Sequence, residues 1–448
     1  MENDTVKGIP AKQRKKLSPP QILVLGFLAL ITAGAILLKL PIATTQPITW
    51  LDAFFTATSA TDVTGLIVLD TATAFTLFGK IVILCLIQIG GLGIMTFAIL
   101  IFLLMGKKIS FKQRLVIQNA LNQSTSGGIV KLVKTVLLFT LSIEGIGALL
   151  LAIYWIPKMG WGKGIFFSIF HTISAFNNAG FALWSHNLLR WVSDPIVNIV
   201  ICALIIIGGL GFTVLVNLLG ARHLHDLSLH TKFMLVGTLL INAFAFVMIF
   251  ALEFNNPGTL GHLSLGGKMW GAFFQAVTTR TAGFNTVPIG NLREATLFLM
   301  ILLMFVGGGS TSTAGGIKVT TFIALLMSVA KILRGEKDAV AFGRTIKDSI
   351  FMKAFALVVA SLTFIFIAIF ILTLTENASF IHIAFEVVSA FGTVGLSAGL
   401  TAHLSVAGQI VIMFMMFIGK LGPLTLVFSL AAPEVKKIRY PEGKLFIG

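Results

Sequence analysis

Four segments of the chain resemble one another, and this internal repeat constrains the fold more than any other feature of the sequence. Each segment is a short apolar run followed by a polar stretch, a glycine, and then Leu or Phe. The segments are FFTATSATDVTGL, IFHTISAFNNAGF, FFQAVTTRTAGFN and AFEVVSAFGTVGL, and the glycines that they share are Gly65, Gly180, Gly283 and Gly395. Four matches at nearly even spacing are not expected by chance, so the chain is predicted to contain four equivalent units.

A second glycine pattern follows each segment at a nearly constant distance. Its four versions are IGGLGIMT, IGGLGFTV, FVGGGSTST and IGKLGPLT. An apolar run of about 20 residues, the length that crosses a bilayer, precedes each first-series segment, and a second run contains the second pattern. Each unit is therefore predicted as a spanning helix, a short helix with a glycine-centred loop, and a returning span.

The composition supports a membrane protein, because only 11% of the residues are charged and the mean hydropathy is +0.97. Soluble domains carry about 25% charged residues. Leading spans are predicted near 21–41, 130–156, 231–253 and 350–374, and returning spans near 76–105, 195–219, 295–329 and 405–431. The segments near 50–60, 164–175, 268–279 and 379–390 are too short to cross. The predicted fold is an all-α polytopic membrane protein, with eight spanning helices and four re-entrant pore helices in pseudo-fourfold symmetry around one pore.

These units divide the chain into five parts. Residues 1–19 are predicted as a cytosolic N-terminal tail, 20–108 as repeat 1, 109–222 as repeat 2, 223–335 as repeat 3, and 336–448 as repeat 4 with a cytosolic C-terminal tail. Most of the 33 Lys and Arg residues fall at the two ends and in the segments between units. By the positive-inside rule these regions are cytoplasmic, so the net charge of +16 indicates membrane topology and not a nucleic-acid partner.

Four re-entrant loops on one axis predict a pore for cations. Non-helical backbone at membrane depth must be buried in protein or line an aqueous cavity, and rings of backbone carbonyls can replace the water around an ion. Glycine accepts a positive φ, which lets successive carbonyls turn inward, and the negative end of each short helix favours a cation. The predicted filter residues are Val63, Thr64, Gly65, Asn178, Ala179, Gly180, Thr281, Ala282, Gly283, Thr393, Val394 and Gly395. The alternative is that each glycine marks only a tight turn.

The third returning span is interrupted by MFVGGGSTSTAGGIK, residues 304–318. A phosphate-binding loop needs a second glycine where Ala314 stands, and a strand before it, so a nucleotide site is excluded. The interruption is predicted as a gate that obstructs the cavity beneath the filter, with a passive kink as the alternative. The predicted gate residues are Gly307, Gly308, Gly309, Ser310, Thr311, Ser312, Thr313, Ala314, Gly315, Gly316 and Lys420.

Lys420 lies in the corresponding pattern of the fourth unit, IGKLGPLT. A cation embedded in a membrane is costly and usually functional. It is predicted to add an electrostatic barrier and to hold the gate loop by bonding its carbonyls or hydroxyls. The alternative is that the side chain snorkels to the cytosolic edge.

With these motifs the chain resembles the Trk/Ktr/HKT superfamily of potassium-translocating membrane subunits, and most closely the bacterial KtrB/KtrD type. TRTAGF, SAFNNAGF and SAFGTVGL carry the resemblance, which extends from about residue 18 to the terminal RYPEGKLFIG. It implies K⁺ uptake by a homodimer in the bacterial plasma membrane, with K⁺ bound at the filter glycines and no other metal or cofactor. It also implies gating at 307–316 under a cytosolic nucleotide-binding ring of the KtrA/KtrC type.

Three charged residues near the filter are predicted modulators. Asp62 departs from the resemblance, since related chains often carry Thr at that position, and a carboxylate behind the filter is expected to change ion affinity or the balance of K⁺ and Na⁺. The alternative is a local ion pair with Arg280, or a pairing that involves Glu386.

Two functions other than K⁺ uptake are the alternatives. A Na⁺ or mixed-cation transporter of the same family stays open, as does Na⁺ as a coupling or activating ion. An enzyme is not expected, because the chain has no H-E-x-x-H motif, cysteine cluster or hydroxyl-acid triad pattern. The basic inner loops predict docking to a separate cytosolic assembly or to anionic lipid.

Overall fold

The computed structural model describes residues 18–93 and 129–430, and these residues are mostly helical. The first two sequence repeats contain α1 (Pro19–Lys39), α2 (Trp50–Thr61), α3 (Thr71–Ala74), α4 (Leu77–Leu92), α5 (Ile129–Met159), α6 (Trp161–Phe176), α7 (Pro195–Leu210) and α8 (Phe212–Gly220). The last two contain α9 (Leu229–Glu253), α10 (Leu265–Thr278), α11 (Glu294–Phe305), α12 (Val319–Leu333), α13 (Asp348–Thr375), α14 (Phe380–Phe391), α15 (Val406–Leu421) and α16 (Pro423–Leu430). Between α12 and α13, strands β1 (Ala339–Ala341) and β2 (Arg344–Ile346) pair antiparallel, with Ala339 opposite Ile346.

Four helices of the described part are each long and apolar enough to cross a membrane. They are Pro20–Lys39, Val133–Met159, Leu229–Glu253 and Asp348–Thr375, and they match the four predicted leading spans. Protein buries only 22% to 33% of each. Most of their apolar surface is therefore free to face lipid, where helices satisfy every backbone hydrogen bond internally.

The returning segments differ from the prediction, which placed a break only in the third. Helix α4 ends before Gly93, α7 and α8 meet at Gly211 with a bend of 94°, and α15 and α16 meet at Gly422. These glycines have φ values of +82°, +100° and +84°. A left-handed residue cannot continue a right-handed helix, so the last glycine of each IGGLG or IGKLG pattern ends a helical segment.

The four short helices α2, α6, α10 and α14 form the centre of the structure. Each carries a phenylalanine that is fully buried, namely Phe55, Phe170, Phe274 and Phe385. Their starts are fixed locally: the Thr49 hydroxyl accepts from the amide of Asp52, and Ser264 accepts from the amide of Gly267. Polar side chains are concentrated in their buried last turns, with lipid-facing apolar residues outside. The four short helices therefore bring polar oxygen atoms together at the centre of the structure.

Candidate functional site: a ring of four glycine loops

The structure brings the four predicted filter glycines into contact with one another. A methyl group added to Gly180 would lie 2.7 Å from the Cα of Gly283, and one added to Gly283 would lie 3.4 Å from the Cα of Gly395. A methyl on Gly395 would lie 2.9 Å from the Cα of Gly65, and one on Gly65 would lie 3.1 Å from the Cα of Gly180. The four glycines therefore form a closed ring, in chain order, with no room for a side chain.

Each loop of the ring has the same unusual backbone. The residue two before each glycine is left-handed, with φ values of 56° at Val63, 57° at Asn178, 71° at Thr281 and 48° at Thr393. The glycines themselves have φ values between +69° and +94°. A left-handed non-glycine residue costs roughly 1–2 kcal/mol, and the same strain in four loops means that the surrounding structure imposes it. The alternation of handedness turns successive carbonyls toward a common side.

The amide groups of the loops bond back to their own short helices. Thr64 N donates to Ser59 O at 2.8 Å, Ala179 N to Ser174 O at 2.7 Å, Ala282 N to Thr278 O at 3.0 Å, and Val394 N to Ser389 O at 2.8 Å. Each accepting residue is a Ser or Thr near the helix end. With the N–H groups turned away, the carbonyl oxygens face the space between the loops.

The carbonyls of the twelve predicted filter residues are left without donors. No backbone amide of the described residues donates to any of them. Two hydroxyls of the short helices bond residues after the loops: Ser174 donates to Phe181 O at 2.8 Å and Thr278 to Phe284 O at 2.5 Å. Leaving a buried acceptor unpaired costs about 1–3 kcal/mol. A ring of such acceptors is suited to bind a cation that has lost its water.

A cavity of about 280 Å³ opens onto one face of the ring. All four glycines line it, together with Asp70, Trp184, His186, Asn285 and Ser397 from the loops that follow the short helices. This cavity therefore places polar groups beside the ring glycines.

The predicted gate segment lies against the ring and joins opposite sides of the structure. Its base is closed by a bond from Gly307 N to Ile317 O at 2.7 Å. The Asn178 side chain contacts Thr313 Oγ1 at 3.1 Å, and a methyl group on Gly315 would overlap the Thr393 side chain. Asn178 and Thr393 belong to the ring, whereas no residue of the segment lines the cavity that the four glycines share.

The segment is bonded to the second returning helix where that helix is bent. Gly309 N donates to Gly209 O at 2.8 Å, and Phe212 N donates to Thr311 O at 3.0 Å. The hydroxyls of Thr213 and Thr311 lie 3.0 Å apart. The bend at Gly211 frees these backbone groups, and the gate segment satisfies them.

Two lysines bond the other side of the segment. Lys420 Nζ donates to Thr313 O at 2.7 Å, and Lys318 Nζ donates to Ala314 O at 2.6 Å. Lys420 thus bonds the segment that the sequence predicts as the gate. Sequence reasoning missed Lys318, although GGIKV places a lysine at the end of the same interruption. Both ammonium groups place positive charge beside the gate segment.

The alternative pairing among Asp62, Arg280 and Glu386 is not found in the structure. Among the described residues, no ion pair joins any of these three to another. Arg280 donates to the carbonyl of Gly307, which is free because α11 has ended. Glu386 accepts hydrogen bonds from Thr401 and from other groups after Gly395. Asp62 is fully buried, and neither of its carboxylate oxygens has a partner among the described residues.

The second glycine pattern has a packing role that the sequence did not reveal. A methyl group on Gly90 would overlap the carbonyl oxygen of Thr61, and Gly208 and Gly419 stand in the same relation to Phe176 and Phe391. Each of these carbonyls ends a short helix. The constant gap between the two glycine series was the available signal, since it sets where the returning helix meets its own short helix.

Together, the long apolar helices and the central ring define a class: multi-pass helical membrane proteins built around converging backbone oxygens. The chain belongs to the TrkH family of cation transport proteins, whose family model matches residues 11–439. This family consists of transporters and not of enzymes, as the sequence predicted. Among the described residues no group of three His, Cys, Asp or Glu side chains could hold a metal ion.

Named relatives and a solved structure agree with the family. The chain is 56% identical over 433 residues to the Ktr system potassium uptake protein B of Bacillus subtilis (strain 168), covering 97% of each chain. It is 41% identical over 444 residues to the potassium/sodium uptake protein NtpJ of Enterococcus hirae, covering 97% of this chain and 98% of that protein. The crystal structure of the potassium transporter TrkH from Vibrio parahaemolyticus matches with a TM-score of 0.75 at 20% identity, covering 94% of this chain and 86% of that one. That likeness confirms the fold.

Proposed function

We propose that this chain is the membrane subunit of a potassium uptake system and that the glycine ring is its selectivity filter. The observation that carries the proposal is the set of carbonyls in four touching loops to which no donor of the described residues bonds. Carbonyl oxygens replace the hydration shell of K⁺ in filters of this kind. The name of the Bacillus subtilis relative, a potassium uptake protein, supports the choice of ion.

The segment 307–316 is proposed as the gate. It is bonded on one side to the bend at Gly211 and on the other to Lys420, so it crosses the space beside the ring. An ion leaving the ring would meet both the segment and two lysine charges. Because like charges repel strongly where water is excluded, the arrangement supports a closed state that opens only when the segment moves.

Control is proposed to come from outside the chain. Relatives named as parts of a Ktr system support a partner subunit, and we propose a cytosolic nucleotide-binding ring. The subunit is proposed to act as a homodimer in the bacterial plasma membrane, with eight crossings, the four repeats bounded as the sequence predicts, and both termini cytoplasmic. The basic inner loops would face this cytosolic nucleotide-binding assembly or anionic lipid.

A mixed K⁺ and Na⁺ transporter is the second candidate. It is favoured by the name of the Enterococcus hirae relative, a potassium/sodium uptake protein, and by the unpartnered carboxylate of Asp62, three residues before a ring glycine. A carboxylate beside the filter would strengthen the field that favours the smaller ion.

Purified protein in liposomes separates these functions. The K⁺ proposal expects flux of K⁺ well above that of Na⁺, and Gly65→Ser is expected to reduce the difference. Equal fluxes would favour the mixed-cation transporter. Unchanged selectivity in Gly65→Ser would count against the ring as the filter.

A further inference from the structure

Three of the short helices carry a buried polar side chain that bonds the segment following the ring glycine. The Nε2 of His171 accepts from Leu183 N at 3.2 Å, and Gln275 Nε2 donates to Thr286 Oγ1 at 3.4 Å. Glu386 makes the third connection, in α14. These side chains lie eight or nine residues before their glycines, so the chain uses one turn of the short helix to hold the segment that follows the glycine.

The connection made by Glu386 is the most extensive of the three. Its carboxylate is fully buried and accepts from the hydroxyl of Ser397, from Leu400 N at 3.3 Å and from Thr401 Oγ1 at 2.7 Å. Thr401 also donates to Ser397 Oγ at 3.1 Å. The carboxylate therefore closes the turn that begins directly after Gly395, and Ser397 lines the same cavity as the ring glycines.

The fourth loop is held on both sides of its glycine. Before Gly395, the amide of Val394 bonds back to Ser389. After Gly395, the buried side chain of Leu396 packs in the apolar core, and Glu386 adds the hydrogen bonds described above. Because the two oxygens of Glu386 accept three hydrogen bonds at once, its side chain can hold a strained loop in one position.

We propose that Glu386 is a positioning residue that fixes the geometry of the fourth loop and thereby contributes to the preference for K⁺ over Na⁺. This inference rests on the proposed filter. The proposal depends on the hydrogen bonds that the Glu386 side chain accepts and does not depend on the charge of that side chain. A glutamine can keep the bonds of Oε1 and donate to the Thr401 hydroxyl, whereas a methionine of similar length accepts no strong hydrogen bond.

The experiment measures the K⁺/Na⁺ flux ratio of full-length protein in liposomes for Glu386→Met and Glu386→Gln. The Met variant, which loses these hydrogen bonds, is expected to lower the ratio by about tenfold, the equivalent of one or two ordinary hydrogen bonds. The Gln variant is expected to stay within about twofold of the unmodified protein. An unchanged ratio in the Met variant, or an equal loss in the Gln variant, would overturn the proposal.

Glu253→Met is the matched control. Glu253 is also fully buried and accepts from Asn256 Nδ2 and Thr259 Oγ1, both at 2.6 Å, and from Arg293 N at 3.1 Å. It does not line the cavity above the ring, so its variant is expected to lower thermal stability and leave the flux ratio unchanged. A fall in the ratio as large as that of Glu386→Met would refute a specific role for Glu386.

Two further variants keep the test decisive. If Glu386→Met does not fold, Thr401→Val removes one donor and leaves the carboxylate in place; a lower ratio supports the proposal and an unchanged ratio overturns it. Gly395→Ala in the same assay tests the filter itself. If that variant lowers the ratio and Glu386→Met does not, the filter stands and the role of Glu386 falls.

Discussion

Replacing Gly395 by alanine tests whether the ring selects ions by its geometry. Gly395 has a φ of +87°, where an L side chain costs roughly 1–2 kcal/mol. The added methyl group would overlap the carbonyl oxygen of Thr64 and lie 2.9 Å from the Cα of Gly65. Carbon atoms in contact are normally about 3.5–4.0 Å apart, and backbone atoms cannot rotate aside. The ring must therefore widen by about 0.6 Å or more at this point.

A change of this size is expected to reduce the K⁺/Na⁺ flux ratio in liposomes at least about tenfold, equivalent to 1.4 kcal/mol. Gly399→Ala is the matched control, because Gly399 has a φ of +99° and no atom within 4 Å of an added methyl group. It carries the same backbone strain without the collision, so its ratio is expected to be unchanged. The reasoning is refuted if Gly395→Ala keeps the ratio, or if Gly399→Ala loses as much.

Three further variants test the gate and the packing. Lys420→Gln removes the charge that bonds Thr313 and is expected to raise basal K⁺ flux several-fold. Lys331→Gln is its control: it breaks an exposed ion pair worth about 0–1 kcal/mol and is expected to leave the flux unchanged. Equal flux in both variants contradicts the gate. Thr311→Val removes the hydroxyl contact at the α8 start and is also expected to raise basal flux, so a closed Val variant would argue against that contact. The added methyl group of Gly208→Ala would collide with a backbone carbonyl, so this variant is expected to lower the melting temperature. Gly145→Ala has open space around it and is expected to be neutral or stabilising by up to about 1 kcal/mol. A lower melting temperature in Gly145→Ala than in Gly208→Ala would disprove the packing role.

Much of the architecture follows from the sequence because the repeat is written four times. Apolar runs predict the leading spans, and the four shared glycines predict which loops meet, since a short segment that cannot cross must turn back. Lys420 could be associated with the gate segment because a buried ammonium needs an acceptor, and broken helices expose carbonyls.

The parts that sequence could not supply depend on three-dimensional packing. The IGGLG and IGKLG patterns gave no sign that their last glycine is left-handed, because glycine also occurs in helices where two segments approach closely. The pairing of Asp62 with Arg280 was inferred from matching positions in two repeats. The loops of Gly65 and Gly283 stand on opposite sides of the ring, however, and Arg280 bonds the carbonyl of Gly307 instead.

Anomalous diffraction from crystals grown in Rb⁺ would examine the central proposition most directly, since Rb⁺ resembles K⁺ in size and scatters strongly. An ion is expected on the axis of the ring, in contact with carbonyl oxygens from all four loops, including those of Thr64, Ala179, Ala282 and Val394. Rb⁺ bound at side-chain carboxylates with the ring left unoccupied would contradict coordination by the glycine loops.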